Sequence, residues 1–176
     1  MTTRGLVLLV LLTCLTASQL YGQDSDATGY PDYSTDQLWL RADFLAAGTM
    51  VFVLGQAKSQ GRSVEDVAME MATFYAPAWS DVETAKQMMG WVRVNYMSSP
   101  RAEFETLEAS EESVRARMNR PWKAYFGESG EILGVTFAEV ESLFRRFYEE
   151  IASQRGLVYE QEQDEEHILI TIRTQQ

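Results

Sequence analysis

The sequence predicts an α+β domain, and two changes of period along the chain carry that prediction. Three segments with helical spacing of apolar residues come first, and each is preceded by a residue able to cap a helix. Two short runs that alternate apolar and polar residues then flank one further helical segment, the pattern of hairpins whose sheet is buried on one face. Helices over one face of a mostly antiparallel sheet follow from that order.

Ser34 with Gln37 opens the first helix, which runs to about Ser59 and closes near Gly61. Its middle, Phe44 to Leu54, is apolar or small except for Thr49, so burial on most sides and a role as the spine of the core are expected. Ser63 with Asp66 opens the second helix, Val64 to about Tyr75, which stops near Pro77. Ser80 with Glu83 opens the third, Val82 to about Tyr96, with Val82, Ala85, Met89, Val92 and Tyr96 on one face. A hairpin of Phe104 to Ala109 and Val114 to Met118 is next, turning at Ser110 to Ser113. Asn119 to Val135 reads as a loop rich in Pro, Gly and aromatic residues. Thr136 with Glu139 opens the fourth helix, where Phe137, Val140, Phe144, Phe147 and Ile151 recur every three or four residues up to Gly156. A second hairpin, Leu157 to Glu162 and His167 to Arg173, closes the chain.

Ahead of the domain, Arg4 and the unbroken Leu6 to Leu12 run, extended through Thr13, Cys14 and Leu15, have the form of an export signal. The run is shorter than the roughly 20 residues needed to span a bilayer. Residues 1–22 are therefore assigned to a signal peptide, 23–34 to a flexible linker and 35–176 to one domain. Cleavage after Ser18 or Gly22 fits the small residues there; an uncleaved anchor or a buried N-terminal helix is the competing reading. Cys14 would be the modified residue of a bacterial lipoprotein, but Thr13 departs from the Gly, Ala or Ser usual before it. If Cys14 leaves with the signal, no disulfide is available. Asn95 and Asn119 do not begin a glycosylation sequon. An exported location in a bacterial periplasm or cell envelope, or outside the cell, is expected, with no transmembrane span in the mature chain.

Charge narrows the function. Among 176 residues, 15 Lys and Arg face 26 Asp and Glu, giving a net charge of -11. Phosphate backbones and anionic lipid surfaces repel such a protein, so no nucleic-acid partner is expected. The only His, His167, follows Asp164, Glu165 and Glu166, but consecutive residues of a hairpin point to alternate sides, so a solvated turn is expected and no metal or other cofactor. With a single imidazole, no G-x-S-x-G and no thiol beyond Cys14, a nucleophile-and-base enzyme lacks its parts. Paired carboxylates are the remaining catalytic option, with Glu128 and Glu131 in a Gly-rich loop as the candidates, although water would solvate both. Gly127, Gly130 and Gly134 match no phosphate-binding spacing.

The most individual segment is Asn119 to Phe126, where Arg120, Trp122, Lys123 and Tyr125 mix cations with rings. Together with Arg115 and Arg117 on the adjoining strand they form the candidate ligand or partner site. The alternative is that Trp122 and Phe126 plug the core while Arg120 and Lys123 face water. Met50, Met69, Met71, Met88, Met89, Met97 and Met118 would line a lipophilic pocket or fill the core. The expectation is a non-catalytic binding domain that holds a small or lipophilic molecule between the first helix and the sheet. An interaction module for an acidic protein partner comes second, and a carboxylate-dependent hydrolase third.

Overall fold

The computed structural model describes residues 33–127 and 129–175. The expected signal peptide, Cys14, most of the linker and Glu128 lie outside them. The chain divides into a unit of residues 1–38 and a compact unit of residues 39–176. In the first, Ser34 and Gln37 form a reciprocal cap: Ser34 N donates to Gln37 Oε1 at 2.8 Å and Gln37 N to Ser34 Oγ at 3.3 Å.

The helices are α1 (Thr35–Ser59), α2 (Val64–Tyr75) and α3 (Ala85–Tyr96), with a 3-10 turn at Ala76–Trp79 after α2. Strands β1 (Phe104–Ala109) and β2 (Ser113–Asn119), the single-turn helix α4 (Lys123–Phe126) and the two-residue strands β3 (Glu131–Ile132) and β4 (Val135–Thr136) follow. Helix α5 (Phe137–Gln154) and strands β5 (Leu157–Gln163) and β6 (His167–Thr174) complete the chain. The main sheet has the order β1-β2-β6-β5 with every neighbouring pair antiparallel. The α+β class and its antiparallel sheet are thus as the alternating runs require.

Strands β2 and β6 and the start of β5 place alternate residues on the core face, whereas β1 is exposed beyond Phe104. Val114, Ala116 and Met118 of β2 stand opposite Ile172, Ile170 and Ile168 of β6, and all six are buried. Leu157 and Tyr159 of β5 join them. Helix α3 covers β2 and β6, and α5 covers β5. This first cluster takes Met88, Met89, Val92 and Tyr96 from α3 and Phe147, Tyr148, Ile151 and Ala152 from α5. A second cluster joins Val51, Leu54 and Ala57 of α1 to Val67 and Ala68 of α2 and to Phe126, Val135, Phe137, Val140 and Leu143. Phe144 and Met71 pack against both.

The spine of the core is therefore α5, whose first half feeds the second cluster and whose second half feeds the first. Helix α1 does not have the expected role. Between Phe44 and Leu54 only Val51 and Leu54 are buried, whereas Phe44, Leu45, Phe52 and Val53 are exposed. The reason is geometric: α3 and α5 already cover the apolar face of the main sheet, leaving α1 one buried line that meets helices and the β3–β4 connection. Among the described helices α1 alone is long and apolar enough to cross a membrane, by length and composition, a property shared by anchors, export signals and core helices.

The third helix also starts later than expected. Its cap is Thr84, whose side chain accepts from Gln87 N while Gln87 Oε1 accepts from Thr84 N at 3.1 Å. Ser80 ends the 3-10 turn instead, and Val82 is buried from the connection between that turn and the helix. Thr136 with Glu139 and Ser63 with Asp66 cap as expected.

The segment expected to be a loop between Asn119 and Val135 holds α4 and the β3–β4 hairpin, whose two connecting residues, Leu133 and Gly134, have φ of 53° and 77°. Positive φ at both positions suits the twist of a tight hairpin, but Leu is a poor occupant because its Cβ crowds the backbone there. Leu133 is 59% exposed and loses little on replacement. Leu133→Asn is expected to stabilise the protein by about 1 kcal/mol, since Asn tolerates this region far better. A urea titration showing an unchanged or lower midpoint would refute that expectation.

Candidate functional site

A cavity of about 430 Å³ opens at the seam between the two clusters. Its walls are mainly helical: Ala46, Ala47, Met50 and Val51 from α1, Met71 and Tyr75 from α2, Trp91, Val94 and Asn95 from α3, and Val140, Phe144 and Tyr148 from α5. Ala78 and Trp79 of the 3-10 turn, Ser98, Trp122, Phe126 and Phe147 complete it. The volume lies within the roughly 300 to 1,000 Å³ usual for small-molecule sites. None of the wall residues is charged. The sheet contributes no wall residue, so the space sits between α1 and the other helices rather than between α1 and the sheet.

The helices shape this space through what each face must satisfy. Helix α3 turns Met88, Met89, Val92 and Tyr96 to the sheet, and that leaves Trp91, Val94 and Asn95 on the cavity side. Trp91 is 48% and Val94 61% exposed, placing them at the open rim. Small side chains on α1, Ala46 and Ala47, leave room opposite them. The floor includes Tyr148, which is 1% exposed and packs edge-on against Trp79 and Phe147 and at a tilt against Tyr96 and Tyr159. Burial pushes its hydroxyl well above the usual tyrosine range, so it stays protonated. Asn95 Nδ2 donates to Tyr148 Oη at 3.2 Å.

One buried carboxylate fixes the wall. Asp43, 5% exposed, accepts from Ser99 Oγ (3.0 Å), Trp122 Nε1 (3.0 Å) and Tyr125 Oη (2.5 Å). These three bonds hold α1 to the turn after α3 and to the start of α4. Burial, then the bond to Asp43, raises the Tyr125 hydroxyl above its ordinary range, which keeps it a donor. Trp39 Nε1 adds a bond to Ser98 O at 2.9 Å.

Of the six expected site residues, Trp122 alone is a wall residue of the cavity. Arg115 and Arg117 lie on the opposite, outer face of the sheet, beside Glu108 at 3.9 Å and Glu105 at 2.6 Å. Arg120 turns inward: Nε donates to Glu141 Oε1 at 2.7 Å, Nη2 bonds Glu141 Oε2, and Nη1 donates to Asp164 O at 2.8 Å. Lys123 Nζ donates to Glu165 O at 2.8 Å. The cations expected to form one stripe are thus divided between a buried ion pair, the β5–β6 turn and the outer face of the sheet.

That turn is structural in its polar detail. Asp164 Oδ1 accepts from Glu166 N and His167 N at 2.8 and 2.7 Å, and these bonds hold its carboxyl below the usual range. Among the described residues no group of three or more His, Cys, Asp or Glu is placed to hold a metal ion. Glu131 is exposed on β3.

Sequence reasoning missed Asp43, Trp91, Val94, Asn95 and Tyr148. A signal was present for three of them, since Trp91 and Val94 are apolar residues off the buried stripe of α3 and Asp43 is a carboxylate at the edge of an apolar run. Of the methionines, Met50 and Met71 line the cavity, Met88, Met89 and Met118 fill the core, and Met69 and Met97 are exposed.

Fold and site together define an α+β domain with an apolar, helix-walled cavity. The chain matches no family model, no curated protein and no solved structure in the comparisons made.

Proposed function

We propose that this protein is an exported, non-catalytic binding domain that holds a small lipophilic molecule in the cavity between α1 and helices α2, α3 and α5. The observation that carries the reading is an open cavity of about 430 Å³ whose walls hold no charged side chain. Burying an apolar ligand there contributes about 25 cal/mol for each Å² removed from water, with little polar desolvation to offset it. Export is supported by the Leu6 to Leu15 stretch behind Arg4. The interaction-module reading gains no comparable support, because Arg117 and Arg120 are paired with acids and Lys123 with a carbonyl.

Trp79, Trp91 and Trp122 make the test direct, since all three line the cavity. The neutral fluorophore N-phenyl-1-naphthylamine should bind and accept excitation energy from them. Ala47→Trp, which fills the space from α1, should weaken that binding at least about tenfold with little change in melting temperature. Absence of probe binding to the wild-type protein would overturn the reading.

A further inference from the structure

The polar groups of the cavity go further than its volume and name the chemistry of the occupant. Tyr148 Oη accepts from Asn95 Nδ2, but among the described residues its own proton meets no acceptor. The Asn95 carboxamide oxygen likewise receives no donor among them. The wall therefore pairs one unused donor, on a side chain 1% exposed, with one unused acceptor beside it. The hydroxyl proton of so buried a side chain gains from a partner, whereas the exposed Asn95 carboxamide is open to water until a ligand takes its place.

We infer that the occupant is an uncharged lipophilic alcohol, its hydroxyl accepting from Tyr148 and donating to the Asn95 carboxamide oxygen. This rests on the lipophilic-binding reading above and adds selectivity to it. A hydroxyl offers an acceptor and a donor on one atom, which is the complement of what Tyr148 and Asn95 leave open side by side. An ionised carboxylate offers acceptors only. It would also lose its water in a space with no cation, where burial already disfavours the charged form of the Tyr148 phenol. The protein's net charge of -11 adds to that discrimination.

The experiment is competition against N-phenyl-1-naphthylamine by dodecanol and by dodecanoate, at a pH where the acid is fully ionised. Dodecanol should displace the probe at least about tenfold more effectively than dodecanoate. In Tyr148→Phe, which removes only the hydroxyl, the affinity for dodecanol relative to that for the probe should fall about fivefold, the scale of one lost hydrogen bond. Asn95→Leu, at an exposed wall position, should lower the same ratio. Equal displacement by the two compounds, or a ratio unchanged in both variants, would overturn the inference while leaving the lipophilic site standing. Failure of the probe to bind the wild-type protein would overturn both.

Discussion

Arg120→Ala should destabilise the protein by about 3–5 kcal/mol, the cost of leaving a buried carboxylate without its counter-ion. Glu141 is 7% exposed, and both its oxygens are taken by the guanidinium of Arg120. The same guanidinium lies 5.0 Å over the Phe137 ring and holds the Asp164 carbonyl, so its loss also frees the β5–β6 turn. The energetic content of the pair is asymmetric. Removing one partner strands a charge, whereas replacing both by apolar residues of similar volume removes the desolvation cost as well. The double variant Arg120→Met with Glu141→Leu should accordingly recover most of the stability lost in Arg120→Ala. Urea unfolding of the three proteins checks this, and a double variant no more stable than the single one would refute it.

Asp43→Ala should have the second largest effect, a loss of about 2–4 kcal/mol, because hydrogen bonds to a charged acceptor are each worth about 1.5–3 kcal/mol and some are re-formed with water. The variant leaves Ser99, Trp122 and Tyr125 without their shared acceptor. Since Trp122 is also a cavity wall, the consequence reaches the site: α1 should show faster hydrogen exchange, and probe affinity should fall together with stability. Asp43→Asn is a milder case, since its amide oxygen can still accept from Trp122. Unfolding midpoints and exchange rates of α1 that match the wild-type protein would show that the helix is held by packing alone.

The fold was legible wherever a local rule decides a local structure. Alternation specified both hairpins to within a residue or two, and the caps at Ser63 and Thr136 specified their helices. The rule failed where two candidates compete. Ser80 with Glu83 and Thr84 with Gln87 both have cap spacing, and only the neighbouring 3-10 turn and the bond from Ala85 N to Glu111 O (3.0 Å) decide between them. Burial of α1 failed for a different reason. Apolar composition records what a helix tolerates, and which of its faces finds a partner depends on elements more than 60 residues away, as the cluster that Val51 and Leu54 share with Val140 and Leu143 makes plain. The candidate site was legible least. Arg120, Trp122 and Tyr125 were noticed for their chemistry, but their partners Glu141 and Asp43 lie on other helices. A carboxylate at the edge of an apolar run, Asp43 before Phe44, was the one local sign that the run is pinned by polar bonds.

The irregular register of β1 has a consequence beyond the hairpin itself. Between Thr106 and Glu108 the pairing with β2 shifts, and Leu107 is the extra residue, 41% exposed. Strand β1 is one of the two outer strands of the sheet, the other being β5, and its far side has no partner strand for its backbone N–H and C=O groups. A regular edge is a template on which a second chain can zip up strand by strand, the first step toward amyloid-like assembly. The bulge breaks the even spacing of those groups and increases the local twist, so an incoming strand can match only a few of them. One inserted residue thereby guards this edge of the sheet against a further strand.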